Sequence, residues 1–190
     1  MRTWFIRTTF VVLVFLIGWY VLSPFKYNIA FGYTCVAESI VIKKPVASVY
    51  EYLGHSKHAA MWSVYVDHIT VLNPELIPDG LIGSRRRCYK NKQEDGIRWD
   101  ETILENIPNQ KRQLNIYNTK GFPIINEGLY TEQRYHALND STCELTFTLF
   151  YKKKKLKIPE ILKTHLASYY IQSIFKQNLS NIKQQLEHGK

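Results

Sequence analysis

What this chain lacks narrows its chemistry before anything present is read. Among its 190 residues are only three cysteines, Cys35, Cys88 and Cys143. None falls in a CxxC spacing, and an odd count does not close into a full disulfide framework, so buried, inert thiols are expected. There is no GxSxG, no phosphate-cradling P-loop and no Cys–His signature of a hydrolase. The six histidines (His55, His58, His68, His136, His165 and His188) are scattered, with no HExxH-like pairing. No metal site and no cofactor are therefore expected. Internal repeats are missing, as is low-complexity sequence beyond one short lysine run. Acidic charge is also scarce, with 16 Asp and Glu against 25 Lys and Arg, a net charge of +9 and a pI of about 9.4. That surplus permits an anionic partner, whether nucleic acid, a phospholipid surface or an acidic ligand.

The longest stretch without charge runs from Thr8 to Phe25, within MRTWFIRTTFVVLVFLIGWYVLSPFKY. As helix it would span about 27 Å, nearly the hydrocarbon thickness of a bilayer. Trp4 lies near one end and Trp19 and Tyr20 near the other, where aromatic rings favour the headgroup level. Residues 1–25 are therefore expected to be a retained single-pass N-terminal membrane anchor. Residues 26–33, after Pro24 and including Gly32, are expected to be a short tether. A cleaved signal peptide, ending near Ala30-Phe31-Gly32, and a buried soluble helix are the competing readings. Arg2, Arg7 and the terminal amine outnumber Lys26 on the far side, which orients the amino terminus toward the cytoplasm and the domain outside it.

From residue 34 to 190 the pattern is that of one domain. Thr34 to Ile42 alternates as a first strand. Pro45 suits the first turn of a helix, whose apolar face is Val46, Val49, Tyr50 and Leu53 and which Gly54 ends. Ser56 is placed to cap a second short helix through Trp62. Further strands are expected over 64–72, 84–89, 97–105, 111–118, 124–136 and 142–151. Asp95-Gly96, Pro108-Asn109, Lys120-Gly121 and Asn139-Asp140 lie at the turns between the later ones. The last segment, from Pro159 to Glu187, carries Leu162, Leu166, Tyr170, Ile174, Ile182 and Leu186 at helical multiples, with Ile171 and Phe175 widening the stripe. A long amphipathic helix of this kind needs a sheet to lie on.

The order strand, KKPVASVYEYL, HSKHAAMWS, PDGLIGSRRR, WDETILENIPNQKRQL and terminal helix resembles the START-like, or SRPBCC, superfamily, and within it the polyketide cyclase/dehydrase and lipid-transport type. The likeness covers roughly residues 34 to 187. It implies an α+β helix-grip fold: a curved antiparallel sheet of six or seven strands around a long C-terminal helix, with two short helices after the first strand. It also implies a cavity between sheet and helix that holds a lipid or other hydrophobic small molecule. Members with an N-terminal membrane helix are usually bacterial, so the resemblance implies a place at a bacterial inner membrane. No universal catalytic motif comes with the family, so its activity is not read from the fold.

Candidate cavity residues follow from strand phase. On the last strand the apolar phase is Cys143, Leu145, Phe147 and Leu149, and on the strand at 97–105 it is Trp99, Glu101 and Ile103. Glu101 is then a carboxylate pointing inward, where desolvation would raise its pKa and suit it to a cyclase- or dehydratase-type proton transfer with a tyrosine. Alternatively it pairs with one of Arg85, Arg86 and Arg87, or the phase slips by one and Glu101 faces water. Trp62 and Tyr65 are placed near the cavity mouth. Tyr130 and Tyr170, with Ile174, are further candidates for contact with a ligand, and Tyr135 and Tyr169 for a hydroxyl near it. The run Lys152, Lys153, Lys154 and Lys155 reads either as a solubilising loop or as a membrane-surface patch. Without interleaved aromatics it does not suit nucleic acid, and no nucleic-acid partner is expected. A collapsed cavity would make the domain a non-catalytic interaction scaffold instead.

Overall fold

Eight strands form one antiparallel sheet in the computed structural model, which describes residues 2–122, 124, 127–152 and 157–189, without the side chains of 2–6, 8 and 12. The strands are β1 (Lys26–Asn28), β2 (Tyr33–Ile42), β3 (His68–Val71), β4 (Arg85–Tyr89), β5 (Arg98–Ile107), β6 (Lys111–Lys120), β7 (Leu129–Asn139) and β8 (Thr142–Tyr151), in spatial order β1-β2-β8-β7-β6-β5-β4-β3. The helices are α1 (Arg2–Val21), α2 (Val46–Gly54), α3 (Ala59–Trp62) and α4 (Ile158–His188), with a 3-10 turn at Ser56–His58. Register shifts in β5, at Arg98/Asp100 and Ile103/Glu105, and at the end of β7, add local bends. The sheet curves around α4.

Several boundaries differ from the sequence expectation. The tether contains β1, which pairs with β2 and raises the strand count to eight. The strand expected over 64–72 is confined to His68–Val71, because Ser63 Oγ accepts from the backbone of Tyr65 and Val66, and Asn178 accepts from Val64. The strand expected from Ile124 begins only at Leu129. Ser56 is not a helix cap: its N–H and hydroxyl both donate to Asp79, at 2.8 and 2.7 Å. That contact docks the PDGLIGS turn against the end of α2. Gly80 sits there at φ +86°, and a Cβ on it would lie 2.6 Å from the Gly54 carbonyl oxygen.

The largest correction concerns α4. Leu162, Leu166 and Tyr170 are 51, 65 and 52% exposed, although the sequence pattern puts them on the inner stripe. The buried face is Thr164, His165, Ser168, Ile171, Phe175, Asn178, Leu179 and Ile182. Polar contacts fasten this face along its length. Asn178 and Asn181 bond the backbone of Val64 and Trp62, Gln172 donates to Glu38, and Lys183 donates to the Val41 carbonyl. The three cysteines are buried and unbridged.

At α1 the described apolar side chains other than Trp19 are exposed around the helix, among them Phe10, Val11, Phe15, Leu16 and Ile17. Among the described residues, no helix is long and apolar enough to cross a membrane. Trp4 lies outside the described side chains. The last turn of α1 is seated on α4: Tyr169 Oη donates to the Trp19 carbonyl at 2.9 Å, and the Tyr20 ring lies 4.5 Å from His165.

Candidate functional site

Between the concave face of the sheet and the middle of α4 lies a cavity of about 150 Å³. Its walls are mostly apolar: Leu114 and Ile116 from β6, Phe147 and Leu149 from β8, Ile171, Ile174 and Phe175 from α4. Strand alternation explains the wall, because cross-strand partners share a face. Leu149 pairs with Thr131 and Phe147 with Gln133, and all four border the cavity. A second crevice, of about 280 Å³, lies between the tether, β2 and α4, and Ser23, Lys26, Asn28, Glu38 and Gln172 give it polar walls.

Of the sequence candidates, Trp62, Tyr65, Trp99, Glu101, Phe147, Leu149, Tyr170 and Ile174 line the cavity. Leu145 and Ile103 do not, although both are almost fully buried. Leu145 pairs with Tyr135, whose ring is met edge-on by Tyr50 of α2 at 5.3 Å, so that end of the concave face is solid core. Ile103 is bonded through its backbone to Gly83 and Ser84, beside the PDGLIGS turn. Tyr130 lies on the opposite face of the sheet: its partner is Phe150, out of phase with Leu149, and the two rings stack 5.8 Å apart. Tyr135 donates to Gln133, and Tyr169 is committed to Trp19, so neither hydroxyl is among the lining groups. Lys152 is exposed, with its ammonium 5.6 Å from the centre of the Tyr130 ring. Lys153, Lys154 and Lys155 lie outside the described residues.

Glu101 points inward, and its two oxygens are both taken. Arg86 Nε donates to one at 2.8 Å and Trp99 Nε1 to the other at 2.8 Å. This is the arginine pairing that the sequence offered as the alternative to a free acid. Arg86 extends the contact to Ser56 Oγ at 3.3 Å, and Ser56 in turn donates to Asp79. One part-buried chain, Glu101–Arg86–Ser56–Asp79, therefore ties the cavity floor to the turn beneath α2. On the outer face of the same strands Arg87 grips Asp100 through two nitrogens, and Asn118 adds a third donor. Burial pushes the Asp100 carboxyl up, but these donors outweigh it and hold the group below its ordinary range.

Aromatic rings make a collar at one end of the cavity. Tyr65 meets Tyr170 at 6.2 Å and Trp99 at 5.6 Å, and Trp99 meets Phe122 at 5.4 Å. Tyr170 is half exposed, which marks this end as the mouth. Trp62 packs edge-on against Phe147 at 5.9 Å, and its Nε1 is buried without a hydrogen-bond partner among the described residues. Burial pushes the Cys35 thiol up to about 11 and the Cys88 and Cys143 thiols upward too, away from the thiolate a nucleophile needs. Among the described residues no cluster of His, Cys, Asp and Glu is arranged to hold a metal.

The wall residues Leu114, Ile116, Phe122, Ile124 and Asn178 were not among the sequence candidates. Leu114 and Ile116 carried a usable signal, since they alternate on a strand whose neighbour presents Glu101. Phe122 and Ile124 follow Gly121 in a loop, where alternation says nothing.

The chain matches no protein-family model and no curated protein. Solved structures do resemble it. The protein XoxI from Bacillus cereus is 13% identical, with a TM-score of 0.60 over 82% of this chain and 98% of that one. The di-domain ARO/CYC BexL from the BE-7585A biosynthetic pathway is 10% identical, with a TM-score of 0.60 over 80% of this chain and 46% of that one. The Aha1 dimer from Colwellia psychrerythraea is 15% identical, with a TM-score of 0.57 over 82% and 98%. At these identities the likeness concerns the fold alone. An eight-stranded curved antiparallel sheet holding a long C-terminal helix, with such neighbours, is a helix-grip fold.

Proposed function

We propose that this chain is a membrane-tethered helix-grip domain that binds a small hydrophobic molecule between its sheet and α4. The observation that carries the reading is the apolar cavity with one neutralised ion pair at its floor. A hollow of about this volume has room for a single aromatic ring. It is smaller than the roughly 300–1,000 Å³ of sites for drug-sized ligands. The bound part is accordingly one ring or a short stretch of acyl chain, with any remainder passing the Tyr65–Tyr170 mouth. Proton transfer by Glu101 would first have to break its contacts with Arg86 and Trp99, so binding without reaction is the simpler role.

The tether is α1. Its uncharged run and the apolar side chains exposed around it support insertion into lipid. Resistance to extraction at alkaline pH tests the anchor. For the cavity, the full chain in mild detergent should be heated with benzene, indole and short alkanols. A saturable rise in Tm with at least one probe is expected, because a ligand for the native state alone stabilises by mass action. Ile174→Trp, which fills the hollow, should abolish the rise. No response from the unsubstituted chain would sink the binding role. The small volume would then favour a non-catalytic interaction scaffold, its cavity occupied by its own aromatics.

A further inference from the structure

The amino-terminal half of α4 has its polarity inside out. Thr164, His165 and Ser168 are buried, at 2, 6 and 0% exposure, while Ile158, Leu162 and Leu166 are 75, 51 and 65% exposed. Tyr169 and Tyr170 continue the outer row at 37 and 52%. With 3.6 residues per turn these five side chains share an arc of about 120°, on the side away from Thr164, Ser168 and Ile171. A contiguous apolar row of this kind marks a contact surface.

The surroundings identify the cover. The row is continuous with α1, whose last turn and exit are fixed to the same helix. Trp19 lies 6.4 Å from the Tyr169 ring, and Ser23 Oγ bonds both His165 Nδ1 at 2.7 Å and Ser168 Oγ at 3.0 Å. Lys157 precedes the row and Lys163 adjoins it, both exposed, with Glu160 as the only acid between them. Apolar side chains flanked by lysines suit the boundary between acyl chains and anionic headgroups.

We propose that the outer face of α4 from Ile158 to Tyr170 lies in the headgroup–acyl boundary of an anionic phospholipid bilayer, as a second membrane contact beside the α1 anchor on which it rests. Tyr170 belongs both to this face and to the cavity mouth. The mouth therefore opens at the lipid surface, and an apolar ligand exchanges between bilayer and cavity without crossing water.

The full chain, reconstituted in phosphatidylcholine–phosphatidylglycerol vesicles, allows a direct test. Single cysteines at Leu162, Leu166 and the exposed control Leu104 would carry an environment-sensitive nitrobenzoxadiazole label. The native cysteines are buried, and the unsubstituted chain measures any background labelling. Labels at 162 and 166 should emit as in an apolar medium and be quenched by nitroxide lipids several-fold more than the label at 104. Water-like emission at 162 and 166, in a protein that resists alkaline extraction, would overturn the second contact and leave the anchor standing. Release by alkaline extraction would remove the anchor instead. Apolar emission without nitroxide quenching, accompanied by cross-links between position 162 of two copies, would identify a second copy as the cover and overturn the lipid assignment.

Discussion

Removing one charge from the cavity floor should cost far more than removing two. Arg86 and Glu101 side chains are each only 11% exposed and meet at 2.8 Å. Neutralising either alone, by Glu101→Gln or Arg86→Met, leaves the other charge desolvated without its counterion. Breaking a buried pair in this way costs about 3–5 kcal/mol, a large part of the roughly 5–15 kcal/mol that holds a domain together. For a chain of this length each kcal/mol moves Tm by about 2–4 °C, so the single variants should melt roughly 6–20 °C lower. The double variant Arg86→Met/Glu101→Gln removes both charges yet keeps an acceptor for Trp99 Nε1. Its remaining defects are a lost donor to Ser56 and one unpaired amide, together about 1–2 kcal/mol. Thermal and urea unfolding of the full chain in mild detergent, followed by tryptophan emission, reads all four proteins. If the double variant loses as much as the two singles added together, the charges do not see each other and the floor is not the dry ion pair described here.

Other positions give independent checks. Phe175→Ala removes a ring that meets Phe147 edge-on at 5.8 Å; a loss of about 3 kcal/mol is expected by urea titration, together with a larger response to aromatic probes because the cavity grows. Gly80→Ala forces a Cβ to 2.6 Å from the Gly54 oxygen at φ +86° and should destabilise by about 1–3 kcal/mol in the same assay; an unchanged midpoint would show that the turn relaxes freely. Burial holds the His165 imidazole below its ordinary pKa, so the unfolded chain takes the proton more readily. Stability should therefore fall as pH drops below about 6.5, and His165→Asn should remove that part of the slope. His68 is shifted the opposite way, chiefly by its bond to Asp67, so the comparison with the variant isolates His165. A steeper slope in His165→Asn would contradict the assignment.

The sequence made the cavity half legible. On β8 the period of two placed Phe147 and Leu149 on the wall, and the same period on β5 turned Trp99 and Glu101 inward. Periodicity reports a face but not how far along the strand the hollow extends. Leu145 and Ile103 therefore share the correct face and miss the cavity: α2 covers one, and the other lies at the end of the hollow beside the PDGLIGS turn. Tyr130 failed differently: as a tyrosine it suited a pocket, but its phase is fixed by Phe150 across the sheet. An arginine partner for Glu101 was legible but not which one: of three successive arginines only Arg86 falls opposite Glu101, and that β4–β5 register is set by the fold. The arrest of β3 was not, because it depends on a hydrogen bond from Val64 to Asn178, more than a hundred residues away.

In α4 the exposed apolar row and the cavity wall share a cause. A strict four-residue step overshoots the 3.6-residue turn by about 40° each time. The series Leu162, Leu166, Tyr170, Ile174, Asn178 and Ile182 therefore does not mark one face but winds around the helix. Exposure follows the winding: the first three are at least half exposed, Ile174 borders the cavity, Asn178 is 6% exposed, and Ile182 is sealed in the core. Apart from Asn178, one apolar line thus leaves the outer surface, passes the mouth at Tyr170 and ends inside. A strictly amphipathic helix would have buried the whole line and left a polar back. Because this line turns, the chain can present an apolar surface and an apolar hollow on the same helix, with the opening where the two meet.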